Sequence, residues 1–219
     1  MKDRVDTATA LAWLKRSGSQ KVIDGMARYG IPSDTAVGVS VGDLKKYAKT
    51  IGKDHELADG LWKSGIYEAR MLAAFVDEAE QVTGKQMDRW SNDFDSWAIA
   101  DTVCFALFDR APDRWKKVHA WAKAKPEFKK RGAFALLWGL TVHDKRAPDQ
   151  EFLACLPLIE AGARDERDYV KKGVDMALRA LGKRTAALRR AAVALAKTMA
   201  SSSEGAQAWV ARSTLRELK

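Results

Sequence analysis

Phe128-Lys-Lys-Arg131-Gly-Ala-Phe-Ala135 carries the pattern that decides the fold of this chain. An aromatic residue is followed three positions later by a cation, and then by small and apolar residues. Three further copies pair an aromatic residue with a cation: Tyr67 with Arg70, Tyr169 with Lys172, and Trp209 with Arg212. The last three cations are 41 and 40 residues apart (131 to 172, and 172 to 212). Periods of about 40 residues in a helical chain are typical of HEAT and armadillo repeats.

The composition favours helix throughout the chain. There are only five Pro in 219 residues, no alternating Val/Ile/Thr runs of strand type, and many good helix formers. Helices are expected over residues 5–17, 19–29 and 41–52, with a loop at 30–34 and with Ser40 as the N-cap of the third helix. We therefore predict a single all-α domain over residues 1–219, a HEAT/armadillo-like helical-repeat solenoid whose recurring cations line a concave basic groove.

One unit of this repeat lacks its cation. Arg70 and Arg131 are 61 residues apart, which leaves room for a unit centred near residue 100, where Trp97 takes the aromatic position and Asp101 follows. Asp101 is the only charge from Trp97 to Phe108. Because burying an unpaired carboxylate is costly, Asp101 should be paired, exposed to a cleft, or used. Trp97 and Asp101 are four residues apart, so they share one face of a helix.

The charge of the chain points towards an anionic partner. Lys and Arg number 38 against 29 Asp and Glu, which gives a net charge of +9 and a pI near 9.5. A groove lined by cations suits a phosphate backbone. The alternative is that the cations solvate ordinary helix starts, with aromatic packing beneath them.

Four segments together resemble the AlkD-type DNA alkylation-repair glycosylase family, which is built from HEAT-like repeats. The likeness covers roughly residues 20–215, and it depends on the order and spacing of the segments because each alone is unspecific. The segments are Met26 to Tyr29 with Val37 to Lys45, Leu61 to Arg70, Trp97-x-x-x-Asp101, and Lys130-Arg131-Gly-Ala.

The resemblance implies an enzyme that removes bulky or cationic alkylated purines, such as 3-methyladenine and 7-methylguanine, from duplex DNA. It implies that Trp97 and Asp101 are catalytic, with Arg131 as the family's functional Arg. The family is also known for acting without flipping the base into a pocket. The expected DNA-binding residues are Tyr29, Arg70, Lys130, Lys171, Lys172, Met176, Arg179, Lys183, Arg184 and Arg212.

The chemistry of such a reaction needs few groups. An N3- or N7-alkylated purine already carries a positive charge, so it leaves without a general acid, and the sugar gains oxocarbenium character. A poorly solvated carboxylate stabilises that charge and can orient a water. Asp101 is the candidate for this role; Trp97 would cover the deoxyribose, and Arg131 would hold a phosphate and help to orient Asp101.

Structural roles for the same residues stay open. Asp101 could form only a buried bridge with Arg131, and Trp97 could belong to the core. Each remaining cation could lie on a solvated helix face, and Tyr29 could pack at a helix end. One departure from the family is Met176, which stands where a second Trp is expected, so we expect a looser site on that side.

Several other functions have no support in the sequence. The three His are scattered, no phosphate-binding Gly loop is present, and neither a metal nor a cofactor is implied. Cys104 and Cys155 are expected to be buried thiols in a reducing cytoplasm, and no segment suggests export or a membrane span. We therefore expect a monomeric, cytoplasmic protein of the bacterial cytosol and nucleoid, without an obligate protein partner. The alternatives are a non-catalytic binder of damaged or branched DNA, and a HEAT-type protein-interaction scaffold.

Overall fold

The computed structural model describes residues 4–218, and this part of the chain is helical without any strand. The all-α prediction is therefore confirmed. Short 3-10 helices lie at Ala27–Tyr29 and Phe108–Arg110. The α-helices are α1 (Thr7–Ser17), α2 (Gln20–Met26), α3 (Val41–Ile51), α4 (His55–Lys63), α5 (Tyr67–Val76), α6 (Gly84–Asn92), α7 (Trp97–Ala106), α8 (Arg114–Trp121), α9 (Glu127–His143), α10 (Asp149–Leu153), α11 (Leu156–Ala163), α12 (Asp168–Arg184), α13 (Ala186–Ala200) and α14 (Gly205–Glu217).

The helix boundaries follow from their capping residues. α1 begins two residues later than predicted because the Asp6 carboxylate accepts the Thr9 N–H at 2.7 Å and so acts as N-cap. The predicted second helix is divided into α2 and a 3-10 turn that ends at Gly30, where φ is 62°. Ser40 caps α3 as predicted, since its hydroxyl accepts the Asp43 N–H at 3.2 Å.

The repeating pattern of the sequence marks the helices that follow each hairpin turn. Its aromatic residue opens α5 at Tyr67 and lies second in α9 and in α12, at Phe128 and Tyr169. Trp97 likewise opens α7. The paired helices α4 and α5, α8 and α9, α11 and α12, and α13 and α14 pack against each other. The sequence period therefore corresponds to helical hairpins.

The helices form two compact units that divide between Pro112 and Asp113. In the first unit, α5 packs on α3, α4 and α7, and the rings of Trp62 and Trp90 stack at 4.1 Å over a buried core. In the second unit, α9 and α12 form the centre and bury their apolar faces against each other. The single domain over residues 1–219 and its concave basic groove stay predictions.

Both cysteines are buried, as expected, and neither forms a disulfide. Burial raises the pKa of the Cys155 thiol to about 12, which makes it unreactive near neutral pH. None of the helices in the described part of the chain is long and apolar enough to cross a membrane.

Candidate active site

The predicted catalytic pair lies on α7, a helix with one buried and one open face. Ser96 caps this helix, and Ala98, Ile99, Ala100, Val103 and Cys104 turn into the core. Trp97 and Asp101 are both half-buried. Their spacing of four residues puts them one turn apart, on the side of the helix that the core does not cover completely. The carboxylate therefore lies on an apolar helix at the edge of solvent.

The indole of Trp97 is fixed in place by a residue far away in sequence. Its Nε1–H donates to the backbone carbonyl of Tyr29 at 2.8 Å. The Tyr29 residue itself is 66% exposed, at the end of the 3-10 turn. The first unit thus brings together Tyr29, Trp97 and Asp101, which we call the candidate site. All three residues were predicted from the sequence, whereas the hydrogen bond that joins two of them was not.

A buried glutamate supports the segment that follows Tyr29. Glu68 is fully buried on α5, and its carboxylate accepts the N–H groups of Val37, Gly38 and Val39 at 2.8, 2.7 and 3.2 Å. Gly38 has φ of 85°, and a Cβ there would lie 2.2 Å from the Ser19 carbonyl oxygen, so only glycine fits. Glu68 was not among the predicted site residues, because Arg70 lies two positions later and Glu68 is therefore not the only charge of its helix, as Asp101 is.

Arg131 lies in the second unit, on the buried side of α9. It is only 6% exposed, and its Nη1 donates to the Tyr169 carbonyl at 2.7 Å. The α12 backbone approaches closely, because a Cβ at Gly173 would lie 3.2 Å from the Arg131 Cγ. Arg131 therefore helps to join α9 to α12, and its predicted role towards phosphate stays a prediction.

Most of the cations predicted to bind DNA are close to carboxylates. Such pairs reduce the local positive charge that a phosphate would meet. The Asp165 carboxyl shows the strength of this pairing, since hydrogen bonds from Arg167 and Lys130 hold its pKa well below its usual range. The pairs are Arg70 with Asp95 at 3.4 Å, Lys130 with Asp165 at 2.8 Å, Lys171 and Lys172 with Asp168 at 2.9 and 3.8 Å, Arg179 with Asp175 at 3.0 Å, and Lys183 with Glu217 at 2.5 Å.

The remaining members of the predicted DNA-binding set differ from one another. Met176 is half-buried on α12, and Arg212 is exposed on α14. Arg184 donates to the carbonyls of Thr141, Asp144 and Ala147 at 2.9, 2.8 and 3.0 Å, and its guanidinium lies 4.4 Å from the centre of the Phe152 ring. Arg184 thus satisfies carbonyls at the end of α9 and in the turn that follows it.

We expect Arg184→Ala to lower the free energy of unfolding by about 2–3 kcal/mol, because three charge-assisted hydrogen bonds are lost. Thermal and urea denaturation measure the change. Lys183→Ala is the matched control: its side chain is 53% exposed, so its loss should cost less than about 1 kcal/mol. Equal stability of the two variants would contradict the structural role of Arg184.

The described residues do not form a metal-binding site. Between residues 4 and 218, no group of three or more His, Cys, Asp and Glu side chains is placed to hold an ion. The candidate site offers instead one carboxylate, one anchored indole and one exposed phenol ring. This set can stabilise a developing positive charge and contact a sugar or base.

Comparison with known proteins agrees with the fold. A family model described as "DNA alkylation repair enzyme" matches residues 10–217. No curated protein sequence matches the chain. One similar solved structure is described as "A new family of proteins related to the HEAT-like repeat DNA glycosylases with affinity for branched DNA structures". It is 20% identical, with 88% of this chain and 83% of that chain covered and a TM-score of 0.78. The likeness confirms the HEAT-like helical-repeat fold.

Proposed function

Because the chain belongs to the DNA alkylation repair enzyme family, we propose that it is a monofunctional DNA glycosylase. Its substrate is duplex DNA that contains N3- or N7-alkylated purines, and its reaction is hydrolysis of their N-glycosidic bond. The observation that carries this proposal is the position of Asp101, half-buried on an apolar helix one turn from an indole fixed by Tyr29. The protein is proposed to act as a monomer and without a cofactor.

The reaction follows from the charge of the damaged base. As the C1′–N bond breaks, its electron pair goes to the cationic purine, which leaves neutral, and positive charge moves to the sugar. Asp101 stabilises that charge and accepts a hydrogen bond from the attacking water. The water oxygen bonds to C1′, and its proton is released to the carboxylate or to solvent.

The aromatic residues of the candidate site bind the substrate in this proposal. Trp97 presents a ring that its bond to Tyr29 holds in one orientation, so little side-chain entropy is lost on binding. The exposed Tyr29 ring contacts DNA beside it. Arg131, Met176 and the cations of the second unit are proposed as further DNA contacts.

A second candidate function is binding of branched DNA without catalysis. One observation favours it: the similar solved structure is of proteins with affinity for branched DNA. Both candidate functions involve DNA binding, and they differ in whether Asp101 takes part in catalysis.

The test offers the wild-type protein two substrates. One is duplex DNA treated with a methylating agent, and the other is an undamaged four-way junction. Release of free 3-methyladenine or 7-methylguanine, detected by chromatography, supports the glycosylase. Tight junction binding without base release at any enzyme concentration supports the second function and overturns the first.

A further inference from the structure

The second unit buries a carboxylate that the proposed reaction does not use. Asp175 on α12 is only 4% exposed, and its Oδ2 lies 3.0 Å from Nη2 of Arg179, one turn later on the same helix. Burial raises the pKa of the Asp175 carboxyl, and Arg179 acts in the opposite direction by favouring its charged form. The side chain of Arg179 remains 32% exposed. The pair therefore runs from the interior to the surface.

This pair is an expensive way to stabilise a fold. Asp175 Oδ1, Arg179 Nε and Thr214 Oγ1 are buried and make no hydrogen bond within the described chain. The hydroxyls of Ser213 and Thr214 lie close to the carboxylate and, like Arg179, lower the pKa of Asp175. Each unsatisfied group costs about 1–3 kcal/mol, and apolar residues often replace buried ion pairs without loss. A buried ion pair of this kind is therefore a weak source of stability for the second unit.

The guanidinium of Arg179 is held at one of its nitrogens, and its side chain is still 32% exposed. Nη2 is held by Asp175 and Nε is buried, while Nη1 forms only a long ion pair with Glu217, at 4.0 Å. Glu217 is itself bound by Lys183 at 2.5 Å. A guanidinium held at Nη2 leaves its Nη1 group with fewer orientations, which favours a directed contact with a phosphate.

The surroundings of Arg179 fit such a role. Lys172, Met176, Arg179 and Lys183 follow one another at spacings of three or four residues, so they share one stripe of α12. Lys172 and Lys183 have side chains that are 54% and 53% exposed. Arg179 is the member of this stripe whose cationic group is anchored to a carboxylate buried beneath it.

We propose that Asp175 is a positioning residue, which holds the guanidinium of Arg179 ready to bind a DNA phosphate. This inference rests on the proposed DNA binding and does not depend on catalysis at Asp101. The proposal predicts the direction in which DNA affinity changes when the Asp175 charge is removed. Removing a negative charge normally strengthens DNA binding, whereas releasing Arg179 from its anchor weakens it, because the side chain must then be ordered on binding.

The test measures binding of a fluorescein-labelled, undamaged duplex by anisotropy across a salt series. We expect Asp175→Asn to weaken binding about threefold to tenfold, the loss that matches ordering one long side chain. Arg179→Gln should weaken binding at least as much. The double variant should bind like Arg179→Gln alone, because Asp175 acts only through Arg179.

Asp168→Asn is the matched control. It removes a carboxylate from the first turn of the same helix, but its side chain is 64% exposed and pairs with Lys171 and Lys172. This variant should bind DNA as well as wild type or more tightly. Circular dichroism and thermal unfolding establish that each variant is folded.

Three results would overturn the inference. They are unchanged or tighter binding by folded Asp175→Asn, no effect of Arg179→Gln, and additive losses in the double variant. A wild-type protein that does not bind any DNA would overturn the proposed function, and this inference with it. If the wild-type protein released no base but Asp175→Asn still weakened DNA binding as expected, only the glycosylase proposal would be overturned.

Discussion

Asp101→Asn is expected to slow the release of alkylated purines by about 100-fold to 1000-fold while leaving DNA binding intact. Asn has nearly the same shape as Asp but carries no negative charge, so it cannot stabilise the positive charge that forms on the sugar. It also orients water less well, because its amide is a weak base. The measurement is the single-turnover rate on a duplex with one 7-methylguanine, with enzyme in excess.

Asp95→Asn provides the control for this variant. Asp95 lies two residues before Trp97, is exposed, and pairs with Arg70 at 3.4 Å. Asp95→Asn removes one negative charge near α7, as Asp101→Asn does, but it leaves the candidate site unchanged. The rate of base release should therefore stay within about threefold of wild type. If the two variants had the same rate, the assignment of Asp101 would be wrong.

Glu68→Ala is expected to lower the free energy of unfolding by about 3–5 kcal/mol. The N–H groups of buried Gly38 and Val39 and of half-buried Val37 would lose the carboxylate that accepts them. Such a loss is a large share of the stability of an ordinary domain. Urea denaturation, followed by circular dichroism, measures the change in midpoint.

The control for Glu68 is a surface glutamate. Glu56 has a side chain that is 82% exposed and pairs with Arg4, so Glu56→Ala should cost less than about 1 kcal/mol. Glu68→Gln should fall between the two, because its amide oxygen still accepts a hydrogen bond while its NH₂ group faces donors. A Glu68→Ala protein as stable as Glu56→Ala would show that the three bonds contribute little.

Loss of the Glu68 carboxylate should also affect base release at the candidate site. The segment that Glu68 holds follows Tyr29, whose carbonyl accepts the Trp97 indole N–H. Since loosening this segment frees the ring, Glu68→Gln at a temperature where it is still folded should slow base release, with a smaller effect than Asp101→Asn.

Much of the fold could be predicted because its causes are local. The spacing of apolar residues marks the helices, and Ser40 caps α3 through an N–H only three residues away. The shared face of Trp97 and Asp101 follows from helix geometry alone. The start of α1 differs from the prediction. The spacing of apolar residues predicted a start at residue 5, whereas the Asp6 side chain caps the helix and so sets its start at residue 7.

The supports of the candidate site could not be predicted because their partners are distant in sequence. Glu68 accepts from residues about 30 positions earlier, and Trp97 donates to Tyr29, 68 positions earlier. The pairing of Lys130 with Asp165 spans 35 residues and could not be derived from a count of charges. A sequence shows which side chains are available, whereas packing decides which of them meet.

The most direct test of the central claim compares wild type with Asp101→Asn on methylated duplex DNA. Mass spectrometry counts the free 3-methyladenine and 7-methylguanine released over time at saturating enzyme. The account predicts steady release by wild type, and release slowed at least about 100-fold by a variant that binds the same DNA equally well. Release by both proteins at one rate, or by neither, would contradict it.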